Sequence, residues 1–368
     1  MSGRVWTDSE VRRALGLRPG PAPEDLSFER VSTDSRAAGE GDLFVALVGE
    51  RFDGHDFVAD ALGRGARGAV VSRPAPDHAG ATLYRVDDTL VALGALAAHR
   101  RRGFEAPVVA ITGSAGKTTT KDLVAGALAS TLRVHATRGN LNNRIGVPLT
   151  LLSAAPDVEA VVLELGSNEP GEIATLAAIA RPDIGVVTTV GESHLEKLGS
   201  LEGVLQEKLD LLRGLAERGR CLVGDEPEAL VHEARTLCPS LRVAGWSERA
   251  DADLRPADVT VDRWGVHRFR WKDQVVTLSI AGRHAVTSAL FALAVSEMLG
   301  VPAGAAASGL EGVDAGSMRG QVRRIGDLPV VVDCYNANPL SVRAALDLLE
   351  SHAAARRIAV LGSMLELG

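Results

Sequence analysis

The stretch VVAITGSAGKTTTKDLVAGAL, residues 108–128, sets two glycines, a lysine and three threonines between an apolar run and a segment with apolar residues at helical spacing. A glycine loop leading from a strand into a helix aims backbone N–H groups and the positive end of the helix at one point, which favours an anion. Lys117 adds a positive charge for the outer phosphates, and Thr118 offers a hydroxyl to a magnesium ion, the chemistry of a nucleotide-triphosphate loop. Here the loop is short: Ile111 stands where the common pattern has a glycine five residues ahead of Gly116.

Four further stretches bear on what the phosphate is used for. VVLELGSNEPGEI puts Glu164 at the C-terminal end of an apolar strand, where a carboxylate either holds magnesium beside the phosphates or simply faces solvent. TTVGESHLEKLGS carries His194 after another strand, and GVLQEKLDLL carries Lys208 on the helix that follows; either residue alone would be ordinary surface. GNLNNRIGVP gathers Asn140, Asn142 and Asn143 between glycines, as a polar binding loop or as a turn.

The elements that must position these groups read as an α/β protein. Residues 1–86 form a small α/β unit, with strands at 43–47, 68–71 and 82–86 and a helix near 57–64. Residues 87–313 open with a helix at 88–102 and then alternate strand and helix (160–166, 184–190, 220–224), which predicts a doubly wound sheet with ligands at the strand C-terminal ends. Alternating polar and apolar residues over 252–280 predict an antiparallel addition, followed by a helix over 285–299. Residues 314–368 read as one β-α-β unit: PVVVDCY, a helix over 341–352, and RIAVLG. Two strands and one helix bury too little to stand alone, so this unit docks on the second domain or belongs to something longer.

Composition narrows the function classes. The 368 residues are 46% hydrophobic and carry a formal net charge of -7, which argues against broad nucleic-acid binding. No run approaches the roughly 18 apolar residues of a membrane span, and the charged N-terminus is unlike a signal peptide, so the expectation is a cytoplasmic protein. Cys221, Cys238 and Cys334 lack disulfide or zinc spacing.

Together these motifs resemble the Mur ligases of peptidoglycan synthesis, nearly end to end. TDSRAAGEGDLFVALVGERFDGHDFVADALGRGA (33–66) is similar to the family's uridine-substrate domain, TGSAGKTTT to its ATP loop and GNLNNRIGVPLTLL to its substrate loop; ELGSNEPGEI, ESHLEKLGS and DCYNANP favour the member that joins D-alanyl-D-alanine to UDP-N-acetylmuramoyl-tripeptide. The resemblance implies three domains: a small substrate domain, a P-loop ATPase domain and an incomplete Rossmann-like C-terminal domain. It implies that Gly113, Ser114, Ala115, Gly116, Lys117, Thr118 and Thr119 hold the ATP phosphates, and that Thr118, Glu164, His194 and Lys208 serve magnesium, Lys208 as a carbamate. Asp34, Ser35, Arg36, Asp53, Gly54 and His55 match the uridine end, Asn142 and Asn143 the substrate loop, and Arg319 and Asp333 groups that reach ATP from the opposite side. The implied partners are the two substrates alone, with the chain acting as a monomer.

Departures from the family pattern carry expectations of their own. Ala285 and Ser288 stand where asparagines commonly lie near adenine, so adenine is held differently; Ser363 replaces an aspartate for no reason that physics supplies. Family members continue beyond the last motif, so the chain is read as a shortened form whose 314–368 segment is the least stable part. The alternatives are a tripeptide synthetase or folylpolyglutamate synthase, which share the loop, Glu164, His194 and Lys208, and a nucleotide- and substrate-binding module without full turnover.

Overall fold

The computed structural model of the chain describes residues 6–20, 26–75, 80–314, 316, 318–326, 328–365 and 367. Its contacts divide the chain into two units, the first Met1–Glu105, Thr137–Val158 and Ala178–Arg181, the second Ala106–Ala136, Glu159–Ala177 and Pro182–Gly368. No helix among the described residues is long and apolar enough to cross a membrane.

In the first unit, strands Arg30–Ser32, Asp42–Val45, Gly68–Val71 and Thr82–Arg85 pair in that order, all parallel. Asp42–Val45 and Gly68–Val71 are buried along their whole length, as expected of strands covered on both faces. Leu43, Val45 and Val70 pack on one side with Phe28, Tyr84 and, from the helix Thr89–Arg102, Leu93 and Leu96; Phe44, Ala69 and Val71 pack on the other with Val58, Ala61 and Leu62. Asp88 starts that helix by accepting from the N–H groups of Leu90 and Val91 at 2.7 and 3.0 Å. The helix Gly146–Ser153 also belongs here, its Leu149 and Leu152 lying against the core around Leu93 and Leu96.

In the second unit six parallel strands pair in the order Arg242–Ala244, Arg220–Gly224, Ile184–Val187, Val108–Thr112, Ala160–Glu164, Val134–Ala136. Val108–Thr112 and Ala160–Glu164 are buried at every position. The helices Lys117–Ala129 and Arg283–Met298 bury Leu123, Val124, Ala127 and Leu128 against Ala289, Phe291, Ala292 and Leu293 over this sheet. The expected antiparallel addition is a three-stranded sheet, Ala257–Val261, Val266–Trp271 and Gln274–Ala281, whose inward residues Phe269, Trp271, Val276, Leu278 and Ile280 join the same core.

The 314–368 segment differs from the β-α-β reading. Strand Leu328–Val332 pairs antiparallel with Gln321–Ile325, so the two form a hairpin, and the helix Pro339–Ser351 follows. RIAVLG is not a strand: Ile358, Val360 and Leu361 are exposed, and no described strand lies beside them. Apolar β-branched residues give a segment strand propensity, but a ladder also needs a neighbour to accept its hydrogen bonds.

Candidate active site

The phosphate loop forms as its glycines dictate. Gly113 has φ 145° and Gly116 φ 79°, both in the left-handed region, and a Cβ at Gly113 would stand 2.0 Å from Thr188 Oγ1. Gly116 starts the helix Lys117–Ala129 with no side-chain cap, so the first-turn N–H groups, including those of Lys117, Thr118 and Thr119, face outward without helical acceptors. Lys117 bends back to donate from Nζ to the Gly113 carbonyl at 2.7 Å, closing the loop around its own charge. The Thr188 hydroxyl lies 2.6 Å from the Ala115 carbonyl and braces the loop from the neighbouring strand.

Ser114 ties this loop to the one bearing His194. Its Oγ donates to Gly191 O at 2.9 Å and accepts from Gly191 N at 3.1 Å and from Ser193 Oγ at 3.0 Å, while its N–H donates to Thr189 O at 2.8 Å. His194 follows at φ 51°, an uncommon backbone for a side chain larger than glycine, and its carbonyl accepts from the N–H groups of Lys197 and Leu198.

Glu164 closes the next strand, in register with Ile111, and is 2% exposed. Desolvation lowers the pKa of Lys117, the Glu164 carboxylate opposes that shift, and the Arg319 guanidinium adds to it. Lys117 is thus within electrostatic reach of a buried carboxylate, Glu164, and of a second cation, Arg319, 202 positions further along the sequence, 319 minus 117. Like charges held together in this way are stabilised by an anion placed between them. Arg319 is held by stacking on the Tyr335 ring, its guanidinium carbon 3.9 Å from the centroid.

Lys208 is 1% exposed and donates to Ser167 Oγ at 2.7 Å. Burial, reinforced by the charge of Lys117, holds its pKa down to about 7, against the opposing carboxylates of Glu207 and Glu172. A lysine in this state is in large part a neutral, nucleophilic amine at neutral pH, where an ordinary lysine is almost wholly charged. Glu207, buried beside it on the helix Leu201–Arg213, accepts from Gly171 N at 2.7 Å and Ile173 N at 2.9 Å, and so shapes the SNEPGEI turn that carries Ser167.

Among the described residues no group of three His, Cys, Asp or Glu side chains converges as a metal cage. Magnesium does not require one, since it typically takes one or two carboxylates with water and substrate phosphates. The oxygen donors of Thr118 and Glu164 beside the loop are the donor set that this hard cation accepts.

The uridine-matching residues lie in the first unit. Asp34 grips Arg36 through two side-chain contacts, Nε to Oδ1 at 2.9 Å and NH2 to Oδ2 at 2.8 Å, and this pairing holds the Asp34 carboxyl down to about 2; Ser35 lies between them in the turn. His55 is buried with both ring nitrogens engaged, Nδ1 2.6 Å from Asp53 Oδ1 and Nε2 accepting from Ser72 N at 2.9 Å, which fixes a neutral tautomer with the proton on Nδ1. Gly54 passes so close to Leu47 that an added Cβ would lie 2.8 Å from that residue's backbone. Asn143 Oδ1 accepts from the N–H groups of Ile145 and Gly146 at 3.1 and 2.9 Å, opening the helix Gly146–Ser153, and Asn142 stands in the same turn.

The Mur ligase middle domain matches residues 111–296, the catalytic domain of the Mur ligase family residues 27–101, and the glutamate ligase domain of Mur ligases residues 318–368. The chain belongs to the Mur ligase family.

Among Mur ligases, it is 38% identical to the UDP-N-acetylmuramoyl-tripeptide–D-alanyl-D-alanine ligase of Bacillus subtilis, over 96% of this chain and 77% of that protein. The Escherichia coli ligase of the same name is 36% identical over 94% of this chain and 76% of its own length. In structure, MurF from Acinetobacter baumannii superposes with TM-score 0.89 at 32% identity, covering 100% of this chain and 81% of that one. MurF of Thermotoga maritima, solved with ADP, superposes with TM-score 0.84 at 30% identity, covering 92% and 78%.

Three parts of this Mur ligase site were not singled out from the sequence: the Ser114 side chain, the Glu207 carboxylate and the Ser167 hydroxyl. In the sequence Ser114 reads only as a phosphate-loop residue, Ser167 lies inside SNEPGEI, and Glu207 precedes Lys208 by one residue. Of the adenine-side departures, Ser288 is buried and accepts from Thr120 Oγ1 at 3.0 Å, so its hydroxyl serves the helix pair. Asp333, which is exposed, acts electrostatically on His284 next to Ala285.

Proposed function

We propose that this Mur ligase joins D-alanyl-D-alanine to UDP-N-acetylmuramoyl-tripeptide at the expense of ATP, a step of peptidoglycan precursor synthesis. The glycine loop that opens an uncapped helix N-terminus carries the reading, with Lys117 on its first turn in electrostatic reach of Glu164 and Arg319, because that arrangement suits a nucleotide's terminal phosphates. The likeness to D-alanyl-D-alanine ligases of this name over nearly the whole chain supports the substrate pair, and the ADP complex of the Thermotoga maritima relative supports ATP.

In the reaction, a terminal carboxylate oxygen of the tripeptide attacks the γ-phosphorus; the bond to the β-γ bridging oxygen breaks, ADP leaves and an acyl phosphate forms. The amine of D-alanyl-D-alanine then attacks the acyl carbon, the carbon–oxygen bond to phosphate breaks, and the amide forms with loss of the amine proton. Lys117 and the first-turn N–H groups stabilise charge on the transferring phosphoryl group, and Arg319 approaches the same charge from the other side. Magnesium, held by Thr118 and Glu164 with His194 near a second position, would neutralise phosphate charge. Lys208 is proposed to carry a carbamate: its neutral amine attacks carbon dioxide, a nitrogen–carbon bond forms, and one proton passes to water. That converts a cation into the oxygen donor that a cation site accepts. In the first unit, Asp34, Ser35, Arg36, Asp53, Gly54 and His55 are proposed to receive the uridine end, with Asn142 and Asn143 along the substrate. The chain is proposed to act as a monomer, with light scattering as the check.

The test is ATP-dependent phosphate release with UDP-N-acetylmuramoyl-tripeptide, with and without D-alanyl-D-alanine, together with mass analysis of the product. Release that depends on both substrates and yields the pentapeptide supports the assignment. Amide formation with a free amino acid in place of the dipeptide would move the chain to a different ligase activity.

A further inference from the structure

Asn338 stands outside the residues assigned above, and its side chain faces two ways. Oδ1 accepts from Ser341 N at 2.9 Å and caps the helix Pro339–Ser351, while Nδ2 donates to the Ser114 carbonyl at 3.0 Å, across 224 residues of sequence. Two residues on, Leu340 rests on Gly191: a Cβ there would lie 2.2 Å from Leu340 Cδ1 and 2.7 Å from Cγ. Ser114 and Gly191 are themselves joined through the Ser114 Oγ. One helix end is therefore fixed at two adjoining points, one on the phosphate loop and one on the loop that runs through Ser193 to His194.

The same segment carries Asp333 and Tyr335 and, through Tyr335, holds Arg319, the group proposed above to meet the phosphoryl charge. Tyr335 lies three residues before Asn338 and stacks on Arg319, and the N–H groups of Cys334 and Tyr335 both donate to Met318 O, at 3.0 and 3.2 Å. Any slip of the helix end would carry Asp333, Tyr335 and, through them, Arg319 away from Lys117. An arginine poised against a transferring phosphoryl group gains its effect from being placed in advance, so a small displacement weakens catalysis without removing the charge.

We infer that Asn338, seated by Leu340, is a positioning residue of the ligase reaction that docks the Pro339–Ser351 helix on the phosphate loop and sets Arg319 opposite Lys117. The inference rests on the ligase reading above. It separates two functions of one amide: the oxygen belongs to the helix, and the N–H donor belongs to the active site.

Asn338→Asp distinguishes them, because aspartate caps a helix as well as asparagine does but offers Ser114 no donor. Helix content by circular dichroism should stay unchanged. The kcat/KM for ATP should fall about three- to tenfold, the range of one net hydrogen bond, while KM for the UDP-linked substrate stays within about twofold. In hydrogen exchange on the full chain without nucleotide, peptides covering 113–119 and 188–194 should exchange at least about threefold faster than in wild type, from the same bond energy. Gly191→Ala drives a methyl into Leu340 and should speed exchange in those peptides; adding Leu340→Ala should restore it. Wild-type exchange in Asn338→Asp, or a Gly191→Ala effect that Leu340→Ala does not relieve, would overturn the dock. If the wild-type chain proves to have no ligase activity, the functional proposal fails, and the exchange measurements still decide the dock.

Discussion

Glu207→Ala is expected to loosen the SNEPGEI turn and, through it, the seat of Lys208. The carboxylate is 4% exposed and is the acceptor for two backbone donors, Gly171 N and Ile173 N, at 2.7 and 2.9 Å. Leaving a buried donor unsatisfied costs about 1–3 kcal/mol. The Ile173 donor is buried and the Gly171 donor only partly so, and one buried donor at the lower part of that range plus one ordinary hydrogen bond of about 1 kcal/mol gives about 2–3 kcal/mol of local destabilisation. The negative charge at the start of the helix Glu172–Ala180 is lost as well, a smaller effect of the same sign. Each 1.36 kcal/mol is a factor of ten, so the amides of Gly171 and Ile173 should exchange roughly 30- to 150-fold faster. Glu207→Gln keeps one acceptor and should sit near a tenfold acceleration, about half the free energy. Ser167 lies in the same turn and accepts from Lys208, so ATP-dependent phosphate release should fall in the same order, alanine below glutamine below wild type. Exchange at those two amides within about threefold of wild type, less than one ordinary hydrogen bond, would refute the claim that Glu207 holds the turn.

Lys117→Ala should lower ligation by more than about 2.7 kcal/mol in activation free energy, roughly a hundredfold, as for loss of one preorganised charge stabiliser; affinity for the UDP-linked substrate, measured by calorimetry, should stay nearly intact, and equal loss of both would sink the division of labour. Lys208→Ala should cripple turnover, with partial recovery on adding short carboxylic acids that supply the missing carboxylate; wild-type turnover would rule out the carbamate. Gly113→Ala forces a Cβ to within 2.0 Å of Thr188 Oγ1 at a φ of 145°, and strain of about 1–3 kcal/mol should weaken ATP binding roughly five- to 150-fold; binding equal to wild type would mean that the loop relaxes freely.

What the sequence makes legible is what is local. Strand, glycines and helix follow one another without a gap at 108–129, so the phosphate loop is written in adjacent residues, and the strands at 68–71 and 220–224 lie where their apolar runs place them. Glu207 reaches its partners across 34 and 36 residues and Asn338 across 224, and no periodicity signals such pairings. RIAVLG shows the same limit from the other side, since propensity is a property of the segment and a ladder is a property of two. His55 sits in a motif that resembles a binding site, and only the fold reveals that Asp53 and Ser72 hold both of its ring nitrogens.

The gathering of so much chemistry at one place follows from strand order. Val108–Thr112 sits in the middle of the parallel sheet; the chain goes on to Val134–Ala136 at one edge, returns to Ala160–Glu164 beside it, and then crosses to Ile184–Val187 on its other side. The connection after Val108–Thr112 leaves to one side and that after its neighbour Ile184–Val187 to the other, the reversal at whose C-terminal ends open α/β sheets bind ligands. Because all the strands are parallel, Glu164 and the loop from Thr188 to His194 must emerge at the same edge as the phosphate loop, one on each flank. Thr188 and Ser114 then need only single hydrogen bonds to lock the flanking loop to the central one. Lys208 is brought under the same edge by the helix Leu201–Arg213, which follows the His194 loop and the short helix Leu195–Leu198. The order of the sheet thus brings the segments of Glu164, His194 and Lys208 to the phosphate-loop edge before any side chain refines the geometry, and what the fold leaves open, the position of Arg319, is the part that we infer the contacts of Asn338 and Leu340 to determine.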